Sequence, residues 1–173
     1  MKALLISIFL LTTMNAKVLV MVDTAMGSSF SSDINIVKKN ILLNKNEAKN
    51  LQKIAQHKIK SKIFKVYLAK KDSEVVGYGV LISQKVRSKN AVVLYSISKD
   101  GILKNIEIIA FNEPLEYLPS QKWKEQFKNK RTEDQLEVGT DIATISGATL
   151  SASAITNSSR VALALYQIKL KNL

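Results

Sequence analysis

Cysteine is absent from the 173-residue chain. Disulfides, thiolate–zinc clusters, c-type haem attachment, lipoprotein anchoring through cysteine and thiol catalysis are therefore excluded. Histidine occurs once, as His57, so no metal site that needs two imidazoles can form and at most one Ser/His/Asp triad is conceivable. Negative charge is scarce: 14 acidic residues stand against 26 basic ones, a net charge of +12. That balance makes anionic partners plausible, but it speaks to association and solubility, not to fold. There is no internal repeat and no sign of a second domain. What remains, 46% apolar and 23% charged residues, is the makeup of one globular domain with a sizeable core, which excludes disorder and coiled coil.

The first residues speak to compartment. Met1 and Lys2 precede an apolar stretch over residues 3–11, followed by Thr12-Thr13-Met14-Asn15-Ala16. This is the layout of a secretory signal peptide ending at Ala16, and it predicts a periplasmic or otherwise extracytoplasmic location. The alternative is an uncleaved anchor. Residues 17–22 extend the apolar character, but Asn15, Lys17 and two threonines interrupt a span that would need about 20 apolar residues. The division expected is a signal peptide over 1–16, an N-terminal extension over 17–45 and a folded domain over 46–173.

Within the extension, Gly27 to Asp33 is polar and turn-prone and reads as loose chain. Asn46 can cap a helix running to about Ile59, with Leu51, Ile54, Ala55 and Lys58 on one face and His57 toward water. Four runs of alternating β-branched and aromatic residues follow, at 63–70, 74–83, 91–98 and 102–111. Lys71-Asp72-Ser73 and Lys99-Asp100-Gly101 are the turns of two hairpins, and so of an antiparallel sheet. Gly77 and Gly79 share one face of the second run, where either a ligand or a tightly crossing helix comes close. Pro119-Ser120 opens a short helix that sets Trp123 beside Phe127 as core. Leu150, Ala154, Val161, Leu165 and Ile168 recur at helical spacing, predicting a helix from about 148 to 169 against the sheet. A helix, four strands and then helices make an α+β fold, an antiparallel sheet packed with an N-terminal helix and a long C-terminal one.

The chemistry lies just ahead of that last helix, in Ile145-Ser146-Gly147-Ala148-Thr149-Leu150-Ser151. Small residues let a phosphate approach the backbone, and unpaired N–H groups at a helix start would hold it. The alternative is that Ser146 or Thr149 merely caps the helix. Composition and spacing leave both open.

Ser146-Gly147-Ala148-Thr149 resembles the flavinylation motif of the FMN-binding domain family. That family includes the covalent-FMN subunits of the sodium-pumping NADH:quinone oxidoreductase and of the Rnf electron-transport complex. The likeness is wider than four residues. Glu113-Pro114-Leu115-Glu116-Tyr117-Leu118-Pro119, then Trp123 and Gln126-Phe127, then residues 145–166 with Arg160 among them, are similar in order and spacing to stand-alone exported members. The resemblance covers roughly residues 48–168. It implies FMN joined through its phosphate to the Thr149 hydroxyl by a separate flavin transferase, which takes FMN from FAD with magnesium. Ser146, Gly147 and Ala148 would be read by the transferase and then line the phosphate site. Leu150, next to Thr149, is a further cofactor-binding candidate; Glu113, Tyr117, Gly77 and Gly79 are candidates for the surface under the flavin ring, and Arg87 and Arg160 for offsetting phosphate charge. One position departs from the family pattern: three residues before Ser146, where an aspartate is usual, stands Ala143, with Asp141 two residues further upstream.

The function this implies is an exported electron carrier between a membrane-bound or periplasmic redox protein and an extracytoplasmic acceptor. Its basic surface would favour an acidic partner or peripheral contact with an anionic membrane. The competing reading is an exported basic module that binds anionic lipid or polymer without a redox cofactor. Nucleic acid is disfavoured, because the basic residues are scattered with few aromatics among them. A hydrolase would need His57 as base with Ser146 or Ser151 as nucleophile, which a remote surface histidine does not support.

Overall fold

A computed structural model describes residues 18–173; the signal-peptide or anchor reading, with Ala16 and Lys17, lies outside the described residues. The chain runs α1 (Val22–Ser29), β1 (Asn35–Leu42), α2 (Lys45–Ala55), β2 (Ile63–Lys71), β3 (Glu74–Lys85), β4 (Asn90–Ser98), β5 (Leu103–Phe111), a short α3 (Gln121–Lys124) and α4 (Thr149–Ile168). The strands form one antiparallel sheet in the order β1-β2-β3-β4-β5. The α+β class and the two hairpins are as expected. The expected four strands become five because β1 adds itself to the edge of β2.

Local chemistry sets the elements. Asp72 and Ser73 both take positive φ (48° and 71°), the geometry of the two-residue hairpin turn whose twist suits a β-hairpin. The first core helix begins at a capping box: the Asn44 side chain accepts from the Glu47 N–H and the Glu47 carboxylate accepts from the Asn44 N–H, each at 2.9 Å. The cap is thus Asn44 and not Asn46. The helix ends at Ala55 and not near Ile59, because Gln56 turns left-handed (φ 49°) and the Gln52 side chain takes the Ile59 N–H at 3.1 Å.

The sheet is covered on both faces. On one, Val66, Val80, Val93, Tyr95 and Ile106 meet Leu51 and Ala55 of α2 and Ile155, Ala162 and Leu165 of α4. On the other, Ala69, Leu94 and Ile109 meet Ala25 and Met26 of α1. The stretch from Gly27 to Asp33 is therefore not all loose chain. Its first three residues finish α1, which is held by packing that its own sequence does not announce. Leu19 donates to the Ile109 carbonyl at 2.9 Å and Val18 bridges Ala110, so the outer edge of β5 is paired near its end.

Candidate functional site

The motif before α4 is a tight turn. The Ala148 N–H donates to the Ile145 carbonyl at 3.0 Å across Ser146 and Gly147. Gly147 has φ +75° with open space where a Cβ would stand, so the turn demands glycine for its backbone and not for a close neighbour. Ala148, buried, is the N-cap residue, and no side chain caps the helix. The capping alternative for Ser146 and Thr149 is thus not what the chain does. Thr149 is the first residue of α4 and is exposed, as are Ser146 and Gly147, while Ser151 is buried. An exposed hydroxyl stands at a helix start whose first N–H groups are left for another acceptor.

The turn is held from below. The main chain of Ala143 is gripped twice: its carbonyl accepts from the Trp123 indole N–H at 2.7 Å, and its N–H donates to the Gln126 side chain at 2.8 Å. Trp123 and Phe127 pack edge-on with centroids 5.2 Å apart, in the core as expected. Asp141 is spent on the same loop, accepting from the N–H groups of Leu136 (3.1 Å) and Glu137 (2.6 Å) and from the Lys130 ammonium (3.1 Å). Burial pushes its carboxyl up, but the Glu137 N–H, the Lys130 ammonium and the Leu136 N–H together hold it below the usual carboxylate range.

Beside the turn lies a cleft of about 740 Å³, bounded by α4, the segment after α2, the start of β2 and the ends of β3 and β4. That size suits a small-molecule site. Leu150, Ala154 and Val161 of α4 face Ile82 and Val86 across it. Leu150 and Ile63 are large apolar residues left 54% and 58% exposed at this site. Lys58, Lys60, Lys65 and Lys85 also line it, none of them in an ion pair among the described residues, and the lining holds no carboxylate. The side-chain nitrogen and oxygen of Gln84 are both buried there without a hydrogen-bond partner. His57 is exposed, as expected, yet it too lines the cleft. Burial and then the Arg160 guanidinium push its pKa down, which favours the neutral ring. No hydrogen bond among the described residues joins that ring to a serine, and no group of three or more acidic or histidine side chains there could hold a metal. Arg160 donates to Asn157 at 2.6 Å.

The other candidates lie elsewhere. Glu113 is buried, and its carboxylate accepts the N–H groups of Arg87 (3.0 Å), Ser88 (2.6 Å) and Lys89 (2.7 Å), gathering the β3–β4 turn. The Lys89 N–H foremost, then those of Ser88 and Arg87, hold it below the usual carboxylate range against the opposing effect of burial. Tyr117 is half-buried with the Arg87 guanidinium 5.1 Å over its ring. Neither residue lines the cleft. Gly77 and Gly79 lie under Phe30 and Met26, on the face that α1 covers. Of the two expectations for them, the tight helix crossing is the one found. The residues that sequence reasoning missed are Gln84 and the lysines of the cleft. A run of four lysines over residues 58–65 was the available signal for the charge, and nothing marked Gln84.

Residues 87–164 match the FMN-binding domain family, a stretch running from the β3–β4 turn through most of α4. Over 134 residues the chain is 33% identical to one of the subunits of the Na(+)-translocating ferredoxin:NAD(+) oxidoreductase complex of Acetobacterium woodii. The match takes in 69% of this chain and 65% of that protein, so the chain spans just under two thirds of the relative's length.

Proposed function

This chain carries a domain of the FMN-binding domain family and FMN is its cofactor; from that premise we propose that it is an exported electron carrier holding FMN by a phosphoester to Thr149. The observation that carries the reading is the exposed Thr149 hydroxyl at an uncapped helix start, opening beside a cleft lined by four lysines and no carboxylate. These residues fit the group. A phosphate suits the helix start, the apolar flavin ring suits Leu150, Ala154, Ile82 and Val86, and the polar edge of the ring suits an amide with no partner of its own. FMN supplies one- and two-electron chemistry; the chain supplies binding, orientation and the electrostatics around it. Ser146, Gly147 and Ala148 present the threonine on a turn that a flavin transferase can reach. A covalent link prevents loss of the cofactor into a dilute compartment outside the cytoplasm. Asp141, tied to its own loop, is free of the motif, so attachment proceeds without an aspartate beside it.

Export rests on the signal-like start of the sequence, with cleavage after Ala16 leaving Val18 and Leu19 to pair with β5. Among the described residues no helix is long and apolar enough to cross a membrane. The lysines around the cleft then favour docking of an acidic redox partner near the flavin, with electron exchange slowing as salt screens the attraction. The relative's place in an oxidoreductase complex supports a protein partner of that kind.

Intact mass spectrometry after co-expression with a flavin transferase tests the reading. The expected product is yellow, heavier than the processed polypeptide by one FMN less water. A colourless protein of unmodified mass would return the chain to the rank of a basic binding module. N-terminal sequencing of the native protein tests export, and Met1 intact in the cytosol would overturn it.

A further inference from the structure

We propose that Gln84 is the positioning residue that pairs with the polar edge of the flavin ring and so tunes its potential, an inference that rests on the cleft being the FMN site. Gln84 sits near the end of β3, on the strand face that turns toward α4, between the inward Ile82 and Val86. An amide at such a position needs partners, because native chains leave few buried polar atoms unpaired. Here both its nitrogen and its oxygen have none.

The Tyr95 hydroxyl, which Gln84 and Ser158 both adjoin, can accept one bond from the amide nitrogen. The buried Tyr95 hydroxyl gives its proton to the Ile155 carbonyl at 3.2 Å. The Asn157 side-chain oxygen already accepts from Arg160 at 2.6 Å. The lysines of the lining can only donate. Gln84 therefore brings to the cleft an acceptor, and a second amide hydrogen beyond any shared with Tyr95, on one planar group. The pyrimidine edge of an isoalloxazine presents the complement, an N–H between two carbonyl oxygens. The cleft follows α4 from Leu150 to Val161, about 16 Å of helix, so it starts one residue beyond the proposed tether. Hydrogen bonds to the ring are one of the means by which a protein sets a flavin's potential.

The test compares wild type with Gln84→Ala and Gln84→Leu, each produced as the full chain with a flavin transferase. Intact mass is read first, then the absorption band and the midpoint potential, and finally the unfolding temperature of each protein made without the transferase. Flavin remains attached in both variants, because Thr149 is untouched. The expected change is about tenfold in the equilibrium between oxidised and reduced flavin, about 30 mV for a two-electron couple, with a displaced absorption band. The flavin-free variants unfold within a few degrees of wild type, since at most one hydrogen bond, to Tyr95, is lost. Flavinylated variants with the wild-type potential and spectrum would overturn the assignment while leaving the FMN reading intact. So would a flavin-free variant that unfolds early with an unmoved potential, for Gln84 would then be a structural prop of the nearby Tyr95. A wild-type chain that carries no flavin would overturn both.

Discussion

On one face of the sheet the strands send out Val66, Val80, Val93, Tyr95 and Ile106, and on the other they send out Ala69, Gly77, Gly79, Leu94 and Ser96. The helices follow from those sizes. Above the large side chains α4 packs tightly through Val161–Leu165, while its first turns stand over an open cleft. Where the two glycines leave room α1 comes down until Met26 and Phe30 fill the places where two Cβ atoms would be. The unpaired amide and the lysines that no carboxylate faces belong to the first surface. One sheet thus separates closure from binding, and each can be damaged without the other.

Thr149→Ala should break the binding face alone, with the largest effect expected: complete loss of covalent flavin by intact mass. Because Thr149 is exposed and caps nothing, the unfolding free energy should move by no more than about 0.5 kcal/mol. Gly77→Ala is the reciprocal. Its Cβ would fall 2.8 Å from the Ile97 carbonyl oxygen and within the Phe30 ring. Overpacking of that kind costs about 1–3 kcal/mol in denaturant unfolding, with flavin attachment kept. Gly79→Ala should cost less, because Met26 and Leu94 side chains can give way where a backbone carbonyl cannot. If Gly77→Ala abolished flavin as well as stability, the independence of the two faces would be lost.

The same contrast explains what could be read without coordinates. The face under α4 is written in local patterns, because strand alternation, the Asp72-Ser73 turn and the spacing of Leu165 after Val161 all reflect burial in one core. The α1 face is not. Val22–Ser29 has the polar, glycine-containing makeup of a turn, and only Ala25 and Met26 meeting the sheet make it a helix. The strand β1 carries two lysines and two asparagines in eight residues, as an edge strand with one open side can. At the site, Thr149 was legible through its motif, whereas the cleft is assembled from separate stretches of chain and gives no contiguous signal. Glu113 and Asp141 attract notice as carboxylates near a binding motif. Their oxygens are taken by N–H groups of the Arg87–Lys89 and Leu136–Glu137 backbone, partners that a sequence does not display.

Glu113 gives the smallest of these effects, confined to acid. Its folded pKa lies below the usual value because the Lys89, Ser88 and Arg87 N–H groups stabilise the carboxylate. A carboxyl shifted down on folding contributes stability that is present above its unfolded pKa, and that stability is lost as pH falls through the folded value. Wild type should therefore lose part of its stability across that acid window, and Glu113→Gln should lose less there while starting lower at neutral pH. The variant should also loosen the β3–β4 turn that carries Lys85, Val86 and Asn90 to the cleft. Thermal unfolding from pH 7 down to pH 3 reads the first effect, and the flavin absorption band reads the second. Parallel pH curves for the two proteins would mean that the buried carboxylate is no more anionic in the folded chain than in the unfolded one. The turn at the cleft's edge would then owe its shape to something other than Glu113.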